Sequence, residues 1–184
     1  MTGMKRFIFV AGAVSAAALA ENDINVFRNE VGLNLGPGNP SGGIGLEYTR
    51  AIGERHAMGV GIGGSAAGWM QSVGYKYFVW QDQRFNPFVG VSGFHASGLI
   101  LPELTVEGTR FTLEPGFAVA PRAGFRYQVG WHINLYLTVG YGFVIQGGEP
   151  KILLQIDDGA KARKVIDLFG LGGPELSTSI LFRF

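Results

Sequence analysis

The chain has 184 residues, no Cys, 30 Gly and 14 Phe, and only 16% of its residues are charged. Its length fits one domain, and the missing Cys excludes a disulfide framework and any thiolate metal site. A formal charge of +1 gives no case for nucleic acid as a partner. Glycine at more than twice its usual share points to collagen-like, low-complexity or glycine-rich β sequence. No G-X-Y period exists, and the glycines alternate with Val, Ile, Phe and Tyr, which leaves β structure.

The N-terminus reads as a targeting segment. Lys5 and Arg6 supply a positive start, Phe7 to Val14 an apolar run, and Ala18-Leu19-Ala20 the small residues a signal peptidase needs. This assigns residues 1–20 to a signal peptide and 21–184 to the mature domain. Without Lys5 and Arg6, 13 basic residues face 14 acidic ones, a formal −1. The exported chain is nearly neutral.

Eight alternating segments follow, each read from a period of two. In the first, Val26 to Gly36, Phe27, Val31, Leu33 and Leu35 oppose Arg28, Glu30, Gly32 and Asn34. After a turn over Pro37 to Gly43, Ile44, Leu46, Tyr48 and Ile52 oppose Gly45, Glu47, Thr49 and Ala51. The third sets Met58, Val60 and Ile62 against Gly59, Gly61 and Gly63, with a loop expected over Gly64 to Gly68. The fourth sets Val73, Tyr75, Tyr77 and Val79 against Ser72, Gly74 and Lys76. The fifth spans Phe88 to Ala96, where Val89 and Val91 suggest one outward face and Phe88 and Phe94 the other. We assign Val89 and Val91 outward. A long connection over Ser97 to Gly116 holds strand-like pieces of its own.

The sixth segment places Phe117, Val119, Ala123, Phe125 and Tyr127 outward and Arg122, Gly124 and Arg126 inward. The seventh is the longest, with Ile133 through Ile145 on one face and His132, Asn134, Tyr136, Thr138, Gly140 and Gly142 on the other. A long loop, Gln146 to Gly173, leads to the last segment, where Leu176, Thr178, Ile180, Phe182 and Phe184 alternate with Ser177, Ser179, Leu181 and Arg183. The count is even, the segments have the length of a tilted membrane strand, and the connections after the second, fourth and sixth are the tight ones. The pattern predicts an all-β, eight-stranded antiparallel up-and-down transmembrane β-barrel. A soluble lipocalin-like barrel would instead turn the apolar face inward around a greasy ligand. The few, spaced charges of both signs on the minority face favour the membrane form.

Two resemblances carry expectations beyond these residues. The ending Leu176 to Phe184 resembles the C-terminal assembly signal of bacterial outer-membrane proteins, which implies recognition by the barrel-assembly machinery. The whole mature pattern resembles the small eight-stranded group of the OmpA transmembrane domain and OmpX. That resemblance implies an integral protein of a Gram-negative outer membrane, a monomer in contact with lipid and lipopolysaccharide, with no cofactor. Its role would be structural or surface-interacting, with a narrow minor channel as a further reading.

Candidate chemistry is sparse. The inward charges Arg28, Glu30, Glu47, Lys76, Arg122, Arg126 and Arg183 fall in a lumen just wide enough to be filled by side chains, where charges must pair. At least one of Glu30 and Glu47 is expected to bond an inward Arg or Lys. Gly59, Gly61 and Gly64 spell G-x-G-x-x-G, but no helix pattern follows, so this is no dinucleotide fingerprint. We read the spaced glycines as making room for Arg and Lys from facing strands. His95 and Ser97 stand two apart at the end of the fifth strand, faintly similar to the His-x-Ser motif of PagL-type lipid A deacylases. That resemblance implies a lipid A-modifying hydrolase as the alternative. The family motif continues with Asn where this chain has Gly98, and it lies on the penultimate strand, here Asn134 to Phe143. Glu103, Glu107 and Glu114 are the carboxylates nearest in sequence, and none has an obvious claim to orient His95. No metal-ligand spacing appears. In the last loop Lys161, Arg163 and Lys164 face Asp157, Asp158 and Asp167, a cluster that suits lipopolysaccharide phosphates. Leu99, Ile100, Leu101 and Leu104 give the loop after the fifth strand an apolar stretch.

Overall fold

The structure is a computed structural model that describes residues 29–37, 39–65, 68–80, 83–98, 104–106, 109–148, 150–154 and 172–184. The targeting segment 1–20, Arg28 and the charged cluster 157–167 lie outside the described residues. Among the described residues eleven strands follow one another: β1 (Asn29–Leu35), β2 (Ile44–Ala51), β3 (His56–Ser65), β4 (Gly68–Phe78), β5 (Phe85–Ala96), β6 (Leu104–Val106), β7 (Thr109–Leu113), β8 (Gly116–Val129), β9 (Ile133–Gly147), β10 (Pro150–Leu154) and β11 (Gly173–Arg183).

Eight of them close a barrel in the order β1-β2-β3-β4-β5-β8-β9-β11, and β11 pairs back onto β1. Every neighbour is antiparallel. The seam closes in continuous register, from Glu30 opposite Arg183 to Leu35 opposite Thr178. Asn29 and Phe184 exchange backbone hydrogen bonds of 3.2 and 2.9 Å. With no edge left in the barrel, each of its eight strands has a partner on both sides, the condition for β structure in a medium that offers no hydrogen bonds.

One end of the barrel carries the short connections from β2 to β3, from β4 to β5 and from β8 to β9, and the last begins at Gly130 with φ 73°. The other end carries the short β3–β4 connection and the longer ones after β1, β5 and β9. Those after β5 and β9 contain β6, β7 and β10, which pair as a second, three-stranded sheet in the order β10-β7-β6. The strand-like pieces expected between Ser97 and Gly116 are this hairpin. One boundary differs from the sequence reading. β4 starts at Gly68 instead of Ser72, and β3 runs to Ser65, so Gly64, Ser65 and Gly68 of the expected loop are strand. Small residues there continue the ladder, Gly64 opposite Trp69 and Ser65 opposite Gly68. A glycine-rich stretch reads as a loop by composition but serves as strand once both neighbours supply partners.

Side chains alternate as a period of two requires. Leu33, Leu46, Ile62, Val89, Phe125, Leu137, Val139 and Ile180 are exposed on the outer face, while Phe88, Phe94, Tyr136 and Leu181 are buried inside. Val89 and Val91 point outward and Phe88 and Phe94 inward, as assigned. The ladder between β8 and β9 skips Ala120–Pro121, where Pro121 has no N–H to donate, and shifts register at Phe117/Ala118.

Candidate functional site in the barrel lumen

Inward positions of eight strands converge on one axis, so residues far apart in sequence meet at bonding distance. Lys76 on β4 donates to Glu47 on β2 at 2.5 Å, across the intervening β3. Gly59 stands on β3 beside them, and a Cβ there would press at 3.0 Å on the Thr49 hydroxyl that bonds Glu47. Glu47 also accepts from Asn34 at 2.9 Å and Thr49 at 3.1 Å. The Lys76 ammonium lies 4.6 Å from the centroid of Tyr136, a cation over an aromatic face.

A second pair sits across the lumen. Arg122 Nε on β8 is 3.2 Å from Glu175 Oε2 on β11, and its two terminal nitrogens donate to Ser92 at 3.2 Å and Ser177 at 3.3 Å. A Cβ at position 140 would lie 2.6 Å from Glu175 Oε2 and 3.2 Å from Arg122 Cγ. Gly140 is therefore the residue that lets this pair form. Glu30 takes neutral partners instead, accepting from Asn134 and from the Tyr136 hydroxyl at 2.6 Å each. The Arg126 guanidinium stacks 4.5 Å from the Phe78 ring.

The structure thus joins Glu47 with Lys76, sets Glu30 opposite Arg183 in register, and places Arg122 and Arg126 inside. Among the described inward residues of the core, Glu30, Glu47 and Glu175 balance Lys76, Arg122 and Arg126. Four of these form two direct ion pairs, Lys76 with Glu47 and Arg122 with Glu175, and such pairing offsets part of the cost of burying them. The sequence reading begins the last strand at Leu176 and so misses Glu175. Extending the alternation one step back from Ser177 places it inward.

The remaining volume is filled. Ala57, Phe78, Phe88, Tyr136 and Leu181 pack in the half with short turns, and Met70, Phe94, Ala96, Ala118 and Ala120 in the other. Between them lies a small polar cavity lined by Ser41, Glu47, Ser72, Lys76, Ser92 and Arg122, with room for about one water. Its roof is not a strand. The connection between β1 and β2 folds inward, burying Asn39, Pro40 and Ser41, and the Ser41 hydroxyl lies 3.1 Å from that of Ser72. A Cβ at Gly61 would collide with the Ser41 hydroxyl. The glycine row on β3 therefore makes room for an inserted loop, where the sequence suggested cations from facing strands.

His95 and Ser97 lie elsewhere, at the loop-bearing end of β5. His95 shares the outward side, its ring 4.5 Å from that of Phe117. The Ser97 hydroxyl accepts from the Trp69 backbone N–H at 3.1 Å and donates to the Gly98 carbonyl at 3.3 Å. These bonds staple the first residues of β4 to the start of the long connection. Glu103 and Glu107 fall outside the described residues.

A closed antiparallel barrel with an apolar exterior and charged groups turned inward defines an integral membrane β-barrel of the small eight-stranded class. No protein-family model matches the sequence, and no curated protein matches it. Solved structures do. The N-terminal β-barrel domain of Pseudomonas aeruginosa OprF superposes with a TM-score of 0.56 at 10% identity, covering 85% of this chain and 96% of that one. Acinetobacter baumannii CarO gives 0.40 at 12% identity, over 89% and 100% of the two chains. A major outer membrane protein from Thermus thermophilus gives 0.44 at 16% identity, over 85% and 99%. The fold is that of the OprF barrel.

Proposed function

We infer that this protein is an exported integral barrel of a Gram-negative outer membrane, monomeric, acting as a rigid scaffold for extracellular loops that engage surface partners. One observation carries the reading: the outward side chains of the eight barrel strands form an apolar surface running right around the barrel, while the inward side holds the Lys76–Glu47 and Arg122–Glu175 pairs. Apolar surface of that extent is stable only against lipid. Aromatics gather toward both ends of the outer face, Trp69, Phe117 and Tyr141 at one and Trp80, Tyr127, Trp131 and Phe182 at the other, the girdles of a membrane barrel. The filled lumen favours a scaffold over a channel. The two long connections, tied together by β10-β7-β6, supply a surface for interaction at the loop end. Lipid, lipopolysaccharide and, during biogenesis, the barrel-assembly machinery are its partners on this reading.

The test is fractionation of a Gram-negative host expressing the full chain. The protein should stay in outer membranes after alkaline carbonate, migrate faster unheated than boiled on a denaturing gel, and expose its loops to protease on intact cells. Recovery as a carbonate-soluble protein would overturn the reading.

A further inference from the structure

Among the described residues, Arg50 is the one permanently charged side chain on the outward face of the eight barrel strands. Alternation from Ile44, Leu46 and Tyr48 carries it there, and register sets it opposite Asn29 on β1 and Met58 on β3. A guanidinium is strongly unfavourable at mid-membrane and nearly costless at the interface. Arg50 is next to the last residue of β2, at the end with the short turns, which is interface depth.

The rim beside it is shaped for an anion. The turn after β2 brings up Arg55 and His56, both exposed. His56 Nδ1 is 2.5 Å from the Tyr75 hydroxyl, its ring is 5.3 Å from that of Tyr77, and Arg55 donates to the Tyr77 hydroxyl at 3.4 Å. Tyr75 and Tyr77 are half-buried on β4, so they form a wall that holds Arg55 and His56 over the outer face. Glu54 is the one carboxylate of this turn and is outnumbered by the two guanidiniums.

We propose that Arg50, Arg55 and His56, walled by Tyr75 and Tyr77, bind the phosphate of an anionic phospholipid headgroup in the leaflet at this end of the barrel. Guanidinium donors suit phosphate oxygens in paired hydrogen bonds, and tyrosines favour headgroup depth. A tailed anion fits better than a free one, because Arg50 stands among Tyr48 and Met58 on the apolar face where acyl chains run. The proposal rests on the membrane reading above.

The test is native mass spectrometry of the full protein purified in neutral detergent, with phosphatidylglycerol or phosphatidylethanolamine of the same chains, and with inorganic phosphate as competitor. Wild type should retain phosphatidylglycerol preferentially. Arg50→Gln with Arg55→Gln should lose that preference by roughly tenfold, while Arg50→Lys with Arg55→Lys keeps part of it. The single Arg55→Gln, in an exposed turn, serves if the double variant fails to fold, and should show a smaller loss. Equal retention by wild type and Gln variants overturns the site, as does displacement of the lipid by inorganic phosphate, which would assign a free-ion site. A carbonate-resistant barrel without lipid preference sinks this proposal alone, whereas a carbonate-soluble protein sinks the membrane reading with it.

Discussion

Lys76 and Glu47 show what a single inward residue is worth in this lumen. Each is nearly buried, and their contact is joined by Asn34 and Thr49. Replacing Lys76 by Met leaves Glu47 buried without its cation, a loss of about 3–5 kcal/mol. Replacing both, Lys76→Met with Glu47→Leu, removes the stranded charge and should recover most of that stability. Urea unfolding of wild type, Lys76→Met, Glu47→Leu and the double variant in lipid vesicles reads the comparison, and equal stability of the two single variants and wild type would contradict the buried pair. Gly140 makes the complementary case. Alanine there pushes on Glu175 Oε2 and on the Pro121 backbone carbonyl at 2.9 Å, so Gly140→Ala should destabilise by roughly 1–3 kcal/mol. The same unfolding midpoint checks it, and Gly64→Ala, where an added Cβ meets nothing within 4 Å, is the control.

At the scale of the element, β11 does two jobs. Its outward residues Leu176, Thr178, Ile180 and Phe182 face lipid, and its inward Glu175, Ser177 and Ser179 join the lumen. Phe184 ends the chain beside Asn29, on the outer face and more than half exposed. Losing one exposed ring removes only a modest lipid contact. If the strand is also the assembly signal, Phe184→Ser should lower outer-membrane insertion severalfold while export continues, as pulse labelling with fractionation would measure. Unaltered insertion would remove that role from the residue. The inserted loop between β1 and β2 offers a second element to test. Gly61→Val should expel Ser41 from the lumen, and the loop should then become accessible to protease from outside. Continued protection would show that the loop tolerates the crowding.

For the molecule as a whole, the decision between a lipid scaffold and a lipid-modifying enzyme turns on the end of β5. Ser97 is bonded to the Trp69 and Gly98 backbones, and the ring of His95 packs on Phe117. A scaffold leaves lipid A unaltered, so cells expressing wild type, His95→Ala and Ser97→Ala should give identical lipid A mass spectra. Loss of an acyl chain dependent on both residues would replace the scaffold with a hydrolase. Ser97→Ala should instead lower stability by about 1 kcal/mol, the worth of its bonds to backbone.

Alternation alone was enough to place the eight barrel strands and the facing of nearly every side chain, because a period of two leaves each residue only two sides. Val89 and Val91 outward, Phe88 and Phe94 inward, and Glu47 and Lys76 on the same interior are all legible this way. What alternation leaves open is which side is wet, since a lipocalin shares the period; charge placement and the C-terminal strand tipped that choice, and the closed structure shows the apolar residues on the exterior. Pairing between non-neighbouring strands came only from closure. Lys76 meets Glu47 across β3, and Arg122 meets Glu175 from separate strands, because curvature turns sequence distance into proximity across an axis. The folding-in of residues 39–41 and the joining of β10 to β7 had no periodic signal, since loops follow shape and the backbone partners left to them.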